Sequence, residues 1–428
     1  MPQPRPRIGV VADDLTGAAD TAVGFVRTGM SALVTWADQD TDGIAAGVDV
    51  LAVDSGTRAL GPQPAERTTR RLVEALRSTG VRTLYKKSDS LLRGHVGIEV
   101  KVALTAWERN AVAIVAPAFP GTGRTTVGGG VLVDGTPIDR PPIATSLAAA
   151  GLSVTNLDLA DVRGAALAGT LDAHRAAGRH AIVCDAETDD DLCAIAAAGS
   201  RLGSGVVWVG SGGLASALGA TLANAGPPIV RPAAHRPGGS AVPASSGPVL
   251  VVVGSTAGVA RAQVAHLAAA GVTHVTVPVT AIGSTHEPCG RQAVPGGSPV
   301  LAEVAEVMGC LRAGRDVVVT LGAEPGRSGA GDDADLAASL GQLLRPCAPL
   351  VGGLVATGGD TATGVLRAWG TTGLRLVGEV EPGVPLSYAI GPRPIPVVTK
   401  AGAFGRPSTL AGARAKLDVL LTPAEGER

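Results

Sequence analysis

The run "VVADDLTGAAD" (10–20) sets two adjacent carboxylates, Asp13 and Asp14, where an apolar segment gives way to Thr16, Gly17 and small residues. Like charges side by side repel, so each acid needs a reason to be there. One reason is structural: Asp14 or Thr16 is a good helix N-cap, because its side-chain oxygen accepts an orphan N–H of the first turn. A cap leaves the neighbouring acid unexplained. An acid pair at a strand end suits binding polyol hydroxyls, holding a metal, or removing a hydroxyl proton.

A second cluster is "YKKSDSLLRGHVGIE" (85–99), where Lys86, Lys87, Asp89, Ser90, Arg93, Gly94 and His95 crowd a strand-to-helix turn. A solvated charge run is the ordinary outcome for such a stretch. The mixture of signs, serines and a glycine favours a site for a small anion, with Arg93 as a two-pronged carboxylate clamp. "DSGTR" (54–58) ends another strand and adds Ser55, Thr57 and Arg58. "APAFPGTGRTT" (116–126) fails as a Walker loop, because Arg124 replaces the lysine and Ala118 the first glycine. It reads as a rigid Pro/Gly loop that delivers Arg124 to the same edge, beside the plainer reading of a structural turn.

"GSGGLA" (210–215) matches the lenient dinucleotide fingerprint, which requires an acid about 20 residues later for the ribose. No Asp or Glu occurs from Leu192 to His286, so a tight strand-to-helix turn explains it better. Later in the chain, "VVVGSTAG" (251–258), "ATGGDTATG" (356–364) and "TKAGAFG" (399–405) each place glycines and hydroxyls after an apolar run. Glycine lets backbone N–H groups approach phosphate, and a following helix N-terminus favours negative charge. Three such loops, with Lys400 in the last, point to a nucleotide-phosphate cradle. Asp360 would cap a helix or help hold magnesium. His286 and Cys289 stand alone as a metal pair, so no dedicated metal-ligating set is expected. GxSxG, HExxH and Cys/His nucleophile patterns are absent.

The elements that must position these residues alternate. Apolar strands are expected at 8–12, 48–54, 82–86, 111–117, 180–185 and 205–210, and helices at 16–29, 62–79, 95–109, 160–177 and 211–225. Continuous rather than alternating apolar strands argue for parallel sheets covered on both faces, hence an α/β protein. The stretch 226–248 carries six prolines and no acidic residue. It divides an N-terminal domain (1–228) from a linker (229–247) and a C-terminal domain (248–428). A length of 428 residues also calls for two cores. Charged residues make up 17% and aromatics 2%, with a net charge of −1, which leaves no footprint for nucleic acid or an anionic membrane. Five cysteines without a CxxC pair, and an opening "MPQPRPRIGV" without an apolar core, fit a cytoplasmic protein.

Together these stretches resemble the four-carbon acid sugar kinases, or tetronate kinases. "ADDLTGAAD", "KKSDSLLRGHVGIE", "PAFPGTGR", "GSGGLA", "VVGSTAG", "TGGDTA", "GEVEPGVP" and "TKAGAFG" carry the likeness over nearly the whole chain, while Leu91, Ala257, Ala260 and Ala403 depart from the family pattern. The resemblance implies two α/β domains, each with a mostly parallel sheet flanked by helices, and a ligand cleft between them. It implies transfer of the terminal phosphoryl group of ATP, with Mg2+, to the 4-hydroxyl of threonate, erythronate or an oxo-tetronate. Asp14, favoured as the base, and Asp13 would be catalytic. Arg58, Lys86, Asp89, Arg93 and Arg124 would bind the acid sugar. Ser255, Gly358, Gly359, Asp360, Thr361, Lys400 and Gly402 would bind the nucleotide. The expected partners are a sugar acid and ATP, with a homodimer as the candidate assembly and neither nucleic acid nor membrane. The alternatives are a kinase of another small hydroxy acid, an NAD-dependent hydroxy-acid oxidoreductase, and a non-catalytic acid sensor.

Overall fold

The structure, a computed structural model, describes residues 6–40, 47–225, 246–280, 302–322 and 330–421. Most of the expected linker, 229–245, lies outside the described residues, as do His286 and Cys289. The chain forms two compact units, Met1–His235 with Gly373–Pro382, and Arg236–Thr372 with Gly383–Arg428. The segment Gly373–Pro382 therefore packs with the first unit, although it lies inside the stretch 248–428 expected to form one C-terminal domain.

The first unit is built on β1 (Ile8–Ala12), β2 (Ala32–Trp36), β3 (Val50–Asp54), β4 (Thr83–Lys87), β5 (Val112–Ala116), β9 (Val154–Leu157), β10 (Ala181–Cys184) and β11 (Val206–Gly210). The last strand of this set is β16 (Gly373–Glu379). They lie in the order β16-β2-β3-β1-β4-β11-β5-β10-β9. All pairs are parallel except β16 with β2, which run antiparallel with Gly373 opposite Thr35. Every residue of β1, β3 and β5 is buried, which is why these strands read as unbroken apolar runs. The helices Leu15–Val26, Pro62–Ser78, Val96–Trp107 and Gly212–Ala225 follow β1, η-turn residues after β3, β4 and β11 respectively.

The register decides where the site forms. Ala12 pairs with Asp54 and Val11 with Lys86, and Gly210 pairs with Lys87. The carboxyl ends of β3, β1, β4 and β11 are therefore level. The chain leaves β1 for strands on one side and returns to β4 on the other, so β1 and β4 flank a topological switch point, where open α/β sheets leave a crevice for ligands.

The second unit repeats the device with β12 (Val249–Val253), β13 (Thr273–Val277), β14 (Val317–Leu321), β15 (Gly353–Thr357), β17 (Pro385–Ile390) and β18 (Pro396–Lys400). Their order is β13-β14-β12-β15-β18-β17, parallel except for the β17–β18 pair. Here the switch lies between β12 and β15, with Val253 opposite Thr357 and Thr357 opposite Lys400.

Three local features differ from the sequence expectation. "ALVTW" (32–36) is a buried strand. Residues after Arg124 form a small antiparallel sheet of β6 (Arg124–Val127), β7 (Gly130–Val133) and β8 (Thr136–Pro137). The expected helix 160–177 is two helices, Leu159–Arg163 and Leu167–Ala176, because Gly164 leaves helical geometry at φ −75 and ψ 143.

The helix Val96–Trp107, which carries Glu99, is seated by Gly97: a Cβ at that position would collide with the Ser146 carbonyl of the helix Ile143–Ala149. Gly97→Ala is expected to force these helices apart at a cost of about 1–3 kcal/mol, read as a lower denaturation midpoint in urea.

Candidate functional site

Asp14 ends the extended segment and caps the helix Leu15–Val26, with its Oδ1 accepting from Gly17 N at 2.8 Å and its Oδ2 from the Thr16 hydroxyl at 2.7 Å. The structural reading of one acid is therefore realised. The reason both can be buried side by side is Arg58. Its Nε and Nη2 donate to the two Asp13 oxygens at 2.8 Å each, and its Nη1 donates to Asp14 Oδ2 at 2.7 Å. Burial works against ionisation of Asp13, but the Arg58 charge and hydrogen bond, with Lys86 and Lys87, hold its carboxyl below the usual range. Burial likewise opposes the Arg58 charge, and Asp14 and Asp13 outweigh it and raise its pKa. Gly94 sits against Asp13 at φ +84, where a Cβ would lie 2.8 Å from Oδ2. That position demands glycine on both backbone and space grounds.

The turn after β4 is organised around Asp89. Arg93 Nε and Nη2 donate to its two oxygens at 2.8 Å, and the Leu91 and Arg93 amides each donate to Oδ2 at 3.2 Å. Burial raises the Asp89 carboxyl, yet the bond from Arg93 and the charges of Arg58 and Arg93 leave it well below the carboxylate range. Leu92 is held at φ 57, a left-handed conformation costly for leucine, so the turn stores strain of about 1–3 kcal/mol.

Lys86 and Lys87 are successive strand residues and point to opposite faces of the sheet. Lys86 Nζ pairs with Glu99 Oε2 at 2.9 Å and donates to Lys87 O at 2.7 Å, both side chains being 2% exposed. Thr57 donates to the other Glu99 oxygen at 2.5 Å. Lys87 turns towards the opening of the helix Leu15–Val26, and its Nζ donates to Ser88 O at 2.8 Å. Arg124 is buried at the start of β6, with Nη1 on Thr122 O at 2.6 Å, and burial lowers its pKa. "GSGGLA" is a tight turn, as expected: a Cβ on Gly210 would stand 2.6 Å from Ala116 O and one on Gly213 would stand 2.8 Å from Ala118 O.

Asp20, at the end of the run that holds the acid pair, lies six residues along from Asp14, 7% exposed, with Oδ1 lacking a hydrogen-bond partner among the described residues. Burial pushes its carboxyl up to about 7, with Lys87 opposing and Glu379 and Asp14 reinforcing the rise. Asp20 and Glu99 carry no expected role in the sequence, and Lys87 is expected only as part of the 85–99 cluster. Glu99 had a legible signal, since a buried lysine requires a buried acid.

In the second unit the three glycine loops meet. Gly358, at φ +99, caps the helix Gly359–Ala368 and donates its N–H to Lys400 O at 2.8 Å. Gly254 N donates to Thr357 O at 3.3 Å, and the Thr361 hydroxyl packs where a Gly254 side chain would otherwise be. The Ser255 hydroxyl packs in the same way on Gly402 and accepts from Ala257 N at 3.3 Å. Asp360 is exposed in the first turn of its helix. Lys400 differs from a phosphate-seeking lysine: it is fully buried, and Nζ donates to the carbonyls of Ala401 at 2.8 Å and Phe404 at 2.9 Å. Gln263 clasps the same loop through Phe404 O at 3.1 Å and Arg406 O at 2.9 Å.

Two predictions follow from the buried charges. Glu99→Gln leaves the Lys86 ammonium uncompensated and is expected to cost about 3–5 kcal/mol, whereas Lys86→Met combined with Glu99→Gln recovers most of it in chemical denaturation. For Asp20 the folded carboxyl holds its proton more tightly than an ordinary aspartate, with burial pushing it up to about 7. The folded state therefore binds more protons than the unfolded one in that window, and stability falls as pH rises through it. The stability of Asp20→Asn relative to wild type is accordingly expected to grow between about pH 4 and pH 7.5 and then level off.

Comparison with known proteins gives these units their setting. The domain family described as "Sugar-binding N-terminal domain" matches residues 8–218, and that described as "Nucleotide-binding C-terminal domain" matches residues 250–410. The chain is 40% identical over 423 residues to a D-threonate kinase of Cupriavidus necator, covering 94% of this chain and 95% of that one. It is 28% identical over 460 residues to a D-erythronate kinase of Heliobacterium modesticaldum, covering 98% of each. A solved structure from Salmonella typhimurium LT2, described as a putative tRNA synthase, shares the fold with a TM-score of 0.73 at 20% identity, covering 96% of this chain and 99% of that one. No helix among the described residues is long and apolar enough to cross a membrane. Matched in both halves and along nearly its whole length, the chain belongs to the four-carbon acid sugar kinase family.

Proposed function

We propose that the protein transfers the γ-phosphoryl group of ATP to a hydroxyl, the 4-hydroxyl, of a four-carbon sugar acid, with D-threonate first and erythronate or an oxo-tetronate as alternatives. The observation that carries this reading is the meeting of the loops at Gly254-Ser255, Gly358–Thr361 and Lys400–Gly402, which lines the switch point of the second unit with amides and hydroxyls. The likeness to D-threonate kinases supports the choice of acid.

Phosphoryl transfer asks little covalent chemistry of the protein. It needs the acceptor oxygen in line, the charge on the transferring group neutralised, and water excluded. In this reading Asp14 orients the acceptor hydroxyl and takes its proton. A carboxylate offers about four lone-pair sites, so the bonds from Gly17, Thr16 and Arg58 leave room for one more donor. Asp13, held ionised by Arg58, accepts from a neighbouring hydroxyl. Arg58 thus positions the acids instead of gripping the substrate, Lys86 serves Glu99, and Arg93 and Arg124 take the carboxylate of the sugar acid, with Asp89 fixing Arg93.

The nucleotide phosphates lie against Ser255, Gly358, Gly359, Thr361 and Gly402, while Lys400 holds the loop's carbonyls inward so that the opposite edge is free for the ligand. Mg2+, when bound, offsets phosphate charge. Asp360, in the first turn of the helix Gly359–Ala368, would be the residue to help hold it, and among the described residues no group of three or more His, Cys, Asp or Glu gathers for a metal.

ADP release across D- and L-threonate, D-erythronate and oxo-tetronates is expected to be strongest with D-threonate, and silence with all of them would overturn the substrate class. Asp14→Asn keeps an N-cap of equal quality and is expected to lower kcat about 100-fold with ATP affinity retained. Gly402→Ala, which intrudes on Ser255, is expected to raise the KM for ATP and spare that for the acid.

A further inference from the structure

Asp20 belongs to the run that bears the acid pair, yet the phosphoryl transfer described above does not use it. It is enclosed, and Oδ1 has no hydrogen-bond partner among the described residues. The charged and titratable groups around it come from every packed element: Lys87 and Tyr85 on β4, Glu379 on β16, Asp14 at the head of its own helix, and Arg124 on β6. The helix Gly212–Ala225 brings no titratable side chain, and approaches through Gly212, where a Cβ would stand 2.8 Å from Asp20 Oδ2.

Lys87 shares this face of the sheet. Its Nζ lies 3.4 Å from where a Gly17 Cβ would stand, at the mouth of the helix that starts from Asp14. Arg58, Arg93 and Lys86 each meet a carboxylate oxygen directly. Lys87, nearly as buried as Lys86, donates to Ser88 O and joins no salt bridge among the described residues. Among the described residues no carboxylate oxygen meets it directly, and its charge also bears on Asp13 and Asp89 at the same level edge.

We propose that Asp20 is a positioning residue of the acid-sugar site that acts through Lys87, its charge state setting how much positive potential the lysine presents to the substrate's carboxylate. With Asp20 neutral, the lysine's charge is available to an anion. With Asp20 ionised, part of that charge is cancelled at short range. Burial, opposed by Lys87, brings the carboxyl to about 7, so the change falls near neutral pH. By linkage, binding of a sugar acid beside Lys87 takes up protons near that pH. The inference rests on the acid-sugar reading of the first unit.

The test is the KM for D-threonate from about pH 6 to 8.5 in wild type, Asp20→Asn, Lys87→Met, their combination, and Lys87→Arg. In wild type the KM is expected to rise about 5-fold with pH, a size suited to one charge acting through a partly screened site. In Asp20→Asn it stays flat at the low-pH value, Lys87→Arg keeps the wild-type slope, and the KM for ATP does not follow. An Asp20→Asn profile with the wild-type slope overturns the proposal, as does an Asp20→Asn effect of equal size in the Lys87→Met background. If wild type releases ADP with none of the acids, the kinase reading fails and the Asp20–Lys87 link is judged by unfolding. A pH-dependent stability difference between wild type and Asp20→Asn that grows in Lys87→Met sustains the link, and one that is unaltered overturns it.

Discussion

The site of the first unit depends on a single guanidinium. Two adjacent aspartates at the buried end of a parallel strand repel each other and have lost most of their water, a combination that would drive one of them neutral. Arg58 prevents this with three N–H groups, two on Asp13 and one on Asp14, in the planar fork that lysine cannot supply. The arginine is delivered by the turn after β3, and β3 is delivered by its register with β1. The acids, the turn that carries Arg58, and the Asp89–Arg93 turn beyond Gly94 thus form one unit whose members cannot be moved separately.

Strand alternation divides the remaining cations. Lys86 goes to one face, where Glu99 and Thr57 hold it, and Lys87 goes to the other, against the first helix and Asp20. Neighbours in sequence therefore have different surroundings: the one is held in a buried ion pair, the other meets no carboxylate oxygen directly among the described residues. The second unit uses a different currency of recognition. Its switch point is lined by backbone and small hydroxyls, and its lysine turns inward to hold loop carbonyls. Glycine loops at a helix start suit phosphate, and an edge of balanced charge suits a hydroxy acid.

Much was legible in the chain. Unbroken apolar runs expected at 8–12, 111–117 and 205–210 hold buried parallel strands because both faces of such a sheet are covered, and the three glycine loops follow β12, β15 and β18 in the second unit. The strand 32–36 was passed over, and the helix expected at 160–177 breaks at Gly164, where no apolar pattern announces the break. The segment 373–382 joins the first unit by pairing with β2. Such a long-range pairing leaves no local trace, because it depends on which edge is open once both sheets exist.

For the site, sequence alone determined the inventory: an acid pair, a cluster of cations, and three glycine loops, each after a strand. Residue type and local spacing suffice for that, since strand-end turns and helix caps are local events. Which charge meets which was decided only by tertiary structure. Arg58 binds the acids, Lys86 binds Glu99, and Asp20 is left beside Lys87, because strand order and register set these distances across stretches of chain that no periodicity connects.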